Sequence, residues 1–301
     1  MTVAVIASPS AGRGRAAACR DAVLALLASQ RIDAWLVPGD SAAAVVAAAR
    51  ESVAAGAEAV LAIGGDGTVH LAVQVVAGSG VRLGIVPAGT GNDFATAAGV
   101  PTDPLAAAAA FARGLAAGTP ASLDAVRASA PGHPDRWWCT VLSAGFDAAV
   151  NERANRMRWP RGPRRYDLAI LAELYRLRPM SVTITLDGEP WSGEVTLVAV
   201  GNAPSYGGGM RICPTADPAD GLLDVTIAGP LSRRTLVALK PRLDVGTHVS
   251  HPAVTTRRAK VVEIAADPPG LTYADGERFL PMPITMRIVP GALQLALTPA
   301  G

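Results

Sequence analysis

The chain has 301 residues, half of them hydrophobic, and a formal net charge of +2 at pH 7. This length is enough for two domains with separate cores, and so small a charge indicates neither a nucleic acid nor an acidic partner. No apolar run reaches the ~20 residues of a membrane-spanning helix, the start lacks a signal peptide, and three scattered cysteines argue against disulfides or zinc. These features predict a soluble, cytoplasmic protein.

The first predicted elements are a strand over residues 1–6 and a helix over residues 16–28. A loop of small residues, Ala7-Ser8-Pro9-Ser10-Ala11-Gly12-Arg13-Gly14, joins them. Its backbone N–H groups, with Arg13 or Arg15, are suited to binding phosphate. The alternative is a plain first turn. A strand over 32–37 and a helix over 42–55 follow.

The corner after the third strand is the most informative stretch of the sequence. Ala59-Val60-Leu61-Ala62 predicts a buried strand, residues 71–76 predict a helix, and Ile63-Gly64-Gly65-Asp66-Gly67-Thr68-Val69-His70 connects them. Its glycines allow the backbone close to a ligand, and the helix adds the positive end of its dipole, which suits phosphate. Asp66 would repel bare phosphate, so it indicates an intervening metal ion or hydroxyl. The alternative is a tight turn in which Asp66 caps the helix with its own side chain.

A second Gly-rich corner follows the fourth strand. Val81-Arg82-Leu83-Gly84-Ile85-Val86 leads into Pro87-Ala88-Gly89-Thr90-Gly91-Asn92-Asp93-Phe94-Ala95, which opens another helix. Corners one strand-helix unit apart lie side by side at the carboxyl edge of a parallel sheet, where ligands of α/β folds bind. We therefore expect the two corners to hold one nucleotide triphosphate.

The pair of motifs, Gly64-Gly65-Asp66-Gly67-Thr68 and the segment from Pro87 to Ala95, resembles the diacylglycerol kinase catalytic domain. Diacylglycerol, sphingosine, ceramide and bacterial soluble lipid kinases share this domain, whereas the first motif alone also occurs in NAD kinases. The resemblance implies an α/β protein with an N-terminal three-layer parallel-sheet nucleotide-binding domain, ATP as phosphate donor and a lipid as acceptor. The residues predicted to bind ATP are Ser8, Pro9, Ser10, Ala11, Gly12, Gly65, Asp66, Gly67, Thr68, Val69, His70, Leu71, Thr90, Asn92 and Asp93. Ser8 stands where the family usually has Asn.

The pattern of the sequence changes near Asp124. Beyond it, apolar and polar residues alternate at period two, which predicts strands over 138–143, 181–186, 194–200 and 260–265. We therefore expect an ATP-binding domain over residues 1–124 and a β-rich, sandwich-like lipid-substrate domain over 125–301, with the reaction in the cleft between them. The resemblance implies that the last strand, about residues 291–297, returns to the first domain.

Residues 151–178 form a basic segment with eight arginines and three acidic residues, and with apolar residues at helical spacing. Such a segment is suited to the surface of an anionic membrane. The alternative is an ordinary amphipathic helix with a solvated basic face. For an enzyme that acts on a lipid, we expect peripheral membrane association. The sequence leaves the oligomeric state open, a homodimer included.

Two loops of the second half carry further candidate residues. The segment from Gly201 to Met210 is similar to the family's Asn and triple-glycine loop. Asp217 and Asp220 offer the oxygen ligands that Mg²⁺ prefers. The resemblance implies a structural magnesium ion held by Asp217, Asp220 and the backbone carbonyl of Leu222, whereas the alternative is a turn capped by its own Asp side chains.

Near the carboxyl end, Tyr273-Ala274-Asp275-Gly276-Glu277 predicts a type I′ hairpin turn, as Asp187-Gly188-Glu189 does earlier in the chain. The resemblance places the later copy beside the phosphate loops, with one of its carboxylates as the general base. We predict that Glu277 is this base and keep Asp275 as the second candidate.

The predicted reaction is transfer of the γ-phosphate of ATP to a lipid hydroxyl. In it, Mg²⁺ bridges the β and γ oxygens, Asp66 orients the ion, and Asp93 positions the acceptor or the metal shell.

One alternative function is an NAD kinase-like phosphotransferase with a soluble acceptor. A second is a non-catalytic lipid- or nucleotide-binding protein. A third, a nucleotide-dependent oxidoreductase, would need G-x-G-x-x-G after the first strand, and the third glycine is missing. No pattern separates diacylglycerol, phosphatidylglycerol and sphingoid bases as acceptors.

Overall fold

A computed structural model describes residues 1–7, 15–157, 159 and 164–297. The chain divides into two compact units. The first unit consists of Met1–Ala125, Pro218–Asp220 and the segment from Val289 onward. The second consists of Val126–Asp217 and Gly221–Ile288.

The first unit alternates strands and helices along the chain. In order, its elements are β1 (Thr2–Ala7), α1 (Arg15–Ser29), β2 (Asp33–Leu36), α2 (Ala42–Ala54), β3 (Ala59–Gly64), α3 (Asp66–Val76), β4 (Arg82–Pro87), α4 (Asp93–Ala97), α5 (Pro104–Ala117) and the start of β5 (Ala121–Ser129).

The sheet of the first unit is parallel, with the strand order β2-β1-β3-β4. The strands β1, β3 and β4 are buried along almost their whole length, as expected for a parallel sheet covered by helices. Helices start where the sequence provides caps: the side chain of Ser41 accepts a hydrogen bond from the Ala44 N–H, and that of Asp103 accepts one from the Ala106 N–H.

Asp124 joins three separate segments of the first unit. Its backbone N–H donates to the carbonyl of Pro218 at 2.7 Å, and its buried carboxylate accepts from the N–H of Gly291 at 2.8 Å. Gly291 lies in the last strand, β16 (Ile284–Leu295), whose end pairs in parallel with β4. The end of β16 and the short segment after Asp217 are thereby held to the first unit.

The second unit is rich in antiparallel strands. In order, its elements are the end of β5, β6 (Arg136–Trp138), β7 (Val141–Gly145), α6 (Phe146–Arg156), α7 (Arg164–Tyr175), β8 (Met180–Leu186), β9 (Glu189–Val195), β10 (Leu197–Gly201), β11 (Leu223–Ala228), α8 (Arg233–Asp244), a 3₁₀ helix (Thr247–Ser250), β12 (Val254–Ala259), β13 (Val261–Ala266), β14 (Thr272–Ala274), β15 (Glu277–Arg278) and the start of β16.

These strands form two layers. One sheet has the order β12-β11-β10-β7-β14-β15, and in the other the start of β16 pairs with β13, followed by β8 and β9. One apolar core takes side chains from both sheets, among them Leu142 and Val225 from the first and Ile184 and Val262 from the second. The mixed architecture, a parallel α/β part followed by an antiparallel β-rich part, confirms the predicted fold class.

Two of the predicted strands were wrong in extent, because each is split. The predicted strand over 194–200 is broken at Thr196, whose N–H donates to Ala228 and whose carbonyl accepts from Phe146. At this residue the chain leaves one sheet for the other, which period-two alternation does not reveal. The predicted strand over 138–143 is broken at Cys139 and Thr140, whose N–H groups donate to a carboxylate instead of a neighbouring strand.

Candidate functional site

The two Gly-rich corners of the first unit lie side by side. Strands β3 and β4 are parallel neighbours, and their last residues, Gly64 and Pro87, are directly paired. The N–H of Ala88 donates to the carbonyl of Gly64 at 2.9 Å, so the contact continues beyond the strands. The predicted adjacency of the two corners at the carboxyl edge of the sheet is therefore what the structure shows.

Asp66 connects the two corners through its side chain. It is the first residue of α3, and the residue that caps this helix is Gly65, which has no side chain to offer. The Asp66 carboxylate instead accepts hydrogen bonds from the backbone N–H groups of Asn92 at 2.8 Å and Phe94 at 3.4 Å. Those N–H groups belong to the start of α4. The interpretation of Asp66 as a simple cap of its own helix is thus wrong, because its carboxylate stabilises the neighbouring corner.

The backbones of the two corners touch, and this contact requires glycine. A Cβ atom added to Gly89 would lie 2.4 Å from the Cα of Gly65 and 2.9 Å from the Oδ1 of Asn92. No side chain fits in that space. The glycines therefore bring two main chains together, in addition to any access they give to a ligand.

Asn92 fixes the shape of the second corner. It adopts the left-handed conformation, with φ 58° and ψ 38°, which Asn tolerates better than most residues. Its side-chain oxygen accepts from the Gly89 N–H at 3.0 Å, and its amide donates to the Gly89 carbonyl at 3.3 Å. Both ends of the side chain are used within the loop, which gives Asn92 a structural role whatever the loop binds.

Other residues predicted to bind ATP differ in their exposure. Thr90 is exposed and Leu71 is partly buried, whereas the side chains of Val69 and His70 lie in the interior. Asp93 is also buried, with 4% of its surface exposed. The predicted residues Ser8, Pro9, Ser10, Ala11 and Gly12 lie outside the described part of the chain.

The start of α3 presents backbone donors. The N–H groups of Thr68 and Val69 donate back to the carbonyl of Gly65, at 2.9 and 3.1 Å. Within the described residues, the N–H of Gly67 makes no hydrogen bond. Because Gly67 also lacks a side chain, this donor at the positive end of the helix dipole is available to an anionic oxygen.

In the second unit, both Asp-Gly-Glu tripeptides form the predicted type I′ hairpin turns. Asp275 and Gly276 have φ values of 52° and 80°, and Asp187 and Gly188 have values of 49° and 95°. In each turn the Asp carboxylate accepts two backbone N–H groups from another segment. Asp275 binds those of Cys139 at 3.3 Å and Thr140 at 2.8 Å, and Asp187 binds those of Lys260 and Val261.

Glu277, the last residue of the later tripeptide, differs from its neighbour Asp275. Glu277 is exposed, and within the described residues its carboxylate makes no hydrogen bond or ion pair.

The guanidinium of Arg136 packs 4.7 Å from the centre of the Phe279 ring. Burial lowers the pKa of Arg136, while attraction to the carboxylates of Glu277 and Asp275 opposes this shift. A positively charged side chain therefore lies near both candidate bases.

The Gly-rich loop that starts at Gly201 meets the later hairpin at Thr140. The side-chain amide of Asn202 donates to the carbonyl of Cys139 at 2.7 Å, and its backbone N–H donates to that of Thr140 at 2.9 Å. Asp275 binds the same two residues from their N–H side. The sequence alone gave no signal for Cys139 and Thr140, because neither belongs to a motif and their partners are more than 60 residues away.

The predicted magnesium ligands lie in a turn. Asp217 and Asp220 are exposed, and Leu222 is partly buried. In the part of the chain that the structure describes, no three His, Cys, Asp or Glu side chains come together as a metal site. Two carboxylates and one carbonyl are hard oxygen donors of the kind that Mg²⁺ prefers, so a magnesium ion on these residues stays a prediction.

The described part of the basic segment covers the second half of α6 and the whole of α7. Several of its apolar side chains are exposed, with Leu171 at 62%, Tyr175 at 78% and Trp159 at 80%. Arg158 and Arg161 lie outside the described residues. Among the described helices, none combines the length and the hydrophobicity needed to cross a bilayer.

Comparison with known protein families covers both units. Residues 2–121 match the model of the diacylglycerol kinase catalytic domain, and residues 140–297 match that of the YegS C-terminal NAD kinase beta sandwich-like domain. The two corners and the β-rich part thus define a kinase fold. The chain belongs to the diacylglycerol kinase catalytic-domain family, which confirms the resemblance seen in the sequence.

Individual relatives agree with this assignment. The chain is 42% identical over 295 residues to a diacylglycerol kinase of Mycobacterium tuberculosis, covering 97% of this chain and 94% of the relative. It is 33% identical over 260 residues to a "probable lipid kinase YegS-like" of Stenotrophomonas maltophilia, covering 83% and 82%. A crystal structure of a diacylglycerol kinase from Bacillus anthracis superposes with a TM-score of 0.69 over 99% of this chain and 97% of that one. At 20% identity, this last likeness shows the fold alone.

Proposed function

We propose that this protein is an ATP-dependent lipid kinase, which transfers the γ-phosphate of ATP to a hydroxyl group of a diacylglycerol-like or sphingoid lipid. The observation that carries the proposal is the pair of corners joined by Asp66 and Asn92 at 2.8 Å. Membership of the kinase family and the names of the relatives support it.

The first unit would bind ATP with backbone N–H groups. The N–H of Gly67, which makes no hydrogen bond to any described residue, and the first turn of α3 provide donors and a positive dipole end for phosphate oxygens. Thr90, exposed in the second corner, adds a hydroxyl. The segment Ser8–Gly12 would complete the cradle. Asp66 is the residue of these corners that would hold Mg²⁺, and the ion, when bound, would supply positive charge to neutralise the phosphates during transfer.

Asp66 would have two roles. It holds the second corner in place by accepting the N–H groups of Asn92 and Phe94. Its negative charge would also orient the ion bound to the phosphates, directly or through water. Asp93, buried at the start of α4, would help to position the acceptor or the metal shell. Precise positioning of this kind supplies much of the rate of phosphoryl transfer.

The second unit would supply the general base, and we propose Glu277. As the lipid hydroxyl oxygen bonds to the γ-phosphorus, the bond from that phosphorus to the β-γ bridging oxygen breaks. ADP leaves, and the hydroxyl proton passes to the carboxylate. Glu277 is exposed and makes no hydrogen bond among the described residues, so it can accept a proton. Asp275 stays the second candidate, although its carboxylate already accepts two N–H groups.

Peripheral contact with a membrane would bring the enzyme to its substrate. The exposed apolar side chains of α7, Leu171 and Tyr175, lie in the basic segment over residues 151–178. Such a helix can insert its apolar face at the boundary of the acyl chains while arginines contact anionic head groups.

Radiolabelled ATP and a panel of lipids in mixed micelles test the proposed function. The panel contains diacylglycerol, phosphatidylglycerol and sphingosine, and the product is identified by mass spectrometry. We expect label in a lipid, and only when Mg²⁺ is present. Label transferred to NAD without any lipid would instead establish the NAD kinase-like activity, and ATP binding without turnover would establish a non-catalytic protein.

A further inference from the structure

The proposed base, Glu277, lies on a strand that backbone pairing alone holds weakly. β15 consists of two residues, Glu277 and Arg278, and it ends the strand order of its sheet. Its partner among the described strands is β14, where Ala274 lies opposite Glu277 and Tyr273 lies opposite Arg278. A short edge element with few ladder bonds opens at a low cost in free energy. The position of Glu277 therefore depends on side-chain contacts of its neighbours.

One carboxylate of α6, that of Glu152, contacts both members of the pair next to Glu277. The phenol of Tyr273 donates to Oε2 of Glu152 at 2.7 Å, and Nε of Arg278 lies 3.9 Å from the same oxygen. The side chain of Glu152 is 16% exposed and Tyr273 is 2% exposed, so water competes little for the bond between them. Glu152 thereby joins α6 to both strands of the hairpin.

The protonation states of the two groups suit this contact. The hydrogen bond from Tyr273 lowers the pKa of Glu152 and burial opposes the shift, while Arg156, 2.5 Å from the other carboxylate oxygen, adds to the lowering. Burial and the hydrogen bond to Glu152 raise the pKa of Tyr273 to about 12. At neutral pH the phenol is therefore a donor and the carboxylate a charged acceptor, which is a strong combination.

Glu152 and the carboxylate of Glu277 lie on opposite faces of the hairpin. Tyr273 and Arg278 are directly paired, so their side chains share the face that meets α6. Glu277 and Ala274 are one position further along each strand, so their side chains point to the other face. Glu152 thus supports the hairpin from behind and leaves the face of Glu277 open to a substrate.

We propose that Glu152 is a positioning residue for phosphoryl transfer, which fixes the hairpin over residues 272–278 so that Glu277 meets the acceptor hydroxyl. This inference rests on the proposed kinase function and on Glu277 as its base. A displacement of about 1 Å at a reacting group can cost about 10²-fold in rate, so a contact one residue away from the base is able to control catalysis.

Steady-state kinetics with ATP and a lipid acceptor in mixed micelles test the role of Glu152. We expect Glu152→Ala to lower kcat by about 10- to 10²-fold and to leave the KM for ATP unchanged, because the first unit would bind ATP. Glu152→Gln should recover part of the rate, since its amide oxygen still accepts the hydrogen bond from Tyr273. Tyr273→Phe, which removes only the phenolic hydroxyl, should also lower kcat at an unchanged KM for ATP.

A second comparison separates positioning from a general loss of structure. If Glu152 acts through the carboxylate of Glu277, then Glu152→Ala should lower kcat by no more than about twofold in a Glu277→Gln enzyme, where no carboxylate is left to position. A structural defect would lower kcat by the same factor in both backgrounds.

Glu173→Ala is the matched control for damage to α6. The side chain of Glu173 is 15% exposed and pairs with Arg153 of α6, but among the described residues it makes no hydrogen bond or ion pair with the hairpin. Its kcat should equal that of the wild type. An equal loss of kcat in Glu152→Ala and Glu173→Ala would overturn the proposal.

Hydrogen–deuterium exchange of the full chain, without ATP or lipid, tests the contact independently of catalysis. The amides of a peptide over residues 272–280 should exchange several-fold faster in Glu152→Ala than in the wild type, and at the wild-type rate in Glu173→Ala. Wild-type exchange in Glu152→Ala would show that Glu152 does not hold the hairpin and would reject the proposal.

The two measurements distinguish failure of this inference from failure of the proposed function. An active wild type whose kcat survives in Glu152→Ala, or falls equally in both Glu277 backgrounds, rejects the positioning role and leaves the kinase function standing. A wild type that labels no lipid rejects the kinase function, and the exchange of residues 272–280 then still decides whether Glu152 fixes the hairpin.

Discussion

The carboxylate of Asp66 accepts a hydrogen bond from the backbone N–H of Asn92 at 2.8 Å, across the two Gly-rich corners of the first unit. The bond joins the start of α3 to the start of α4, which lie in different strand-helix units. Asp66 is therefore part of the scaffold that shapes the proposed phosphate site, as well as a candidate to act on what that site binds. Experiments on this residue must separate its hydrogen bond from its charge.

The close contact between Gly89 and Gly65 predicts that Gly89→Ala disrupts the paired corners. The added methyl group would lie 2.4 Å from the Cα of Gly65, so the corners must move apart. We expect a loss of about 1–3 kcal/mol in the free energy of unfolding and at least tenfold weaker ATP binding. Urea unfolding and calorimetric titration with ATP measure these quantities.

Gly229→Ala is the control for this substitution, because a methyl group there would meet only the carbonyl oxygen of Ala253, at 3.5 Å. It should leave ATP binding unchanged. Wild-type ATP affinity in Gly89→Ala would show that the contact between the corners is not needed for the nucleotide.

The pair of Tyr206 and Asp147 predicts a pH-dependent contribution to stability. Burial raises the pKa of Asp147 above its ordinary value of 3.8, and the hydrogen bond from Tyr206 opposes the shift. An acid with a raised pKa in the folded state contributes its full stability below the unfolded pKa and loses it as the pH rises through the folded pKa. Asp147→Asn cannot ionise but still accepts a hydrogen bond.

The wild type loses stability as Asp147 ionises, and Asp147→Asn does not, so the stability of the variant relative to the wild type should increase from roughly pH 3.5 to roughly pH 8. Urea unfolding at a series of pH values measures this difference. Tyr206→Phe should show the opposite trend, because it removes the bond that stabilises the ionised carboxylate. A difference between Asp147→Asn and wild type that stays constant with pH would refute the shift.

The two Asp-Gly-Glu turns give an internal comparison for the general base. Glu277→Gln should lower kcat by about 10²–10⁴-fold. The melting temperature should change little, because the exposed carboxylate makes no hydrogen bond or ion pair among the described residues. Glu189→Gln, at the same position of the earlier turn, should keep full activity. Asp275→Asn should lower the melting temperature, because it removes the negative charge that strengthens the two hydrogen bonds from the N–H groups of Cys139 and Thr140.

These variants are compared by steady-state kinetics with a lipid acceptor and by thermal unfolding. A fully active Glu277→Gln enzyme, together with a folded but inactive Asp275→Asn enzyme, would move the role of base to Asp275.

The exposed apolar side chains of α7 predict a contact with lipid bilayers. Leu171→Glu should reduce sedimentation with phosphatidylglycerol vesicles several-fold, because it places a negative charge among apolar side chains and anionic lipids. Leu105→Glu is the control, since Leu105 is 45% exposed on α5 of the first unit. Equal sedimentation of the two variants would exclude α7 as the contact.

Features with local sequence signals were predictable from the chain. The strand-loop-helix corner at Gly64–Asp66 combines an apolar run with glycines, and the turn at Asp275–Gly276 has the composition that a type I′ turn demands. The cap at Asp103 precedes a proline in the first helical turn. In each case the residues that determine the structure are neighbours in sequence.

Features that depend on distant partners were not predictable. The side chain of Asp66 binds an N–H 26 residues away, and Asp275 binds one 135 residues away, and a sequence gives no sign of either pairing. For the same reason the strand predicted over 194–200 hid the passage of the chain between two sheets at Thr196. Period-two alternation records which face of a strand is buried, but not which sheet the strand belongs to.

Phosphate transfer by Asp66→Asn and Asp66→Ala tests the central claim most directly. The assay uses radiolabelled ATP, Mg²⁺ and diacylglycerol in mixed micelles, with thermal unfolding as the control for folding. Asp66→Asn can still accept a hydrogen bond from the Asn92 N–H but has lost the negative charge, so we expect an activity loss of about 10²-fold or more with nearly wild-type stability. Asp66→Ala loses both, so we expect the same loss of activity together with lower stability. If either variant transferred phosphate as fast as the wild type, Asp66 would not be part of an ATP site and the kinase mechanism proposed for these corners would be wrong.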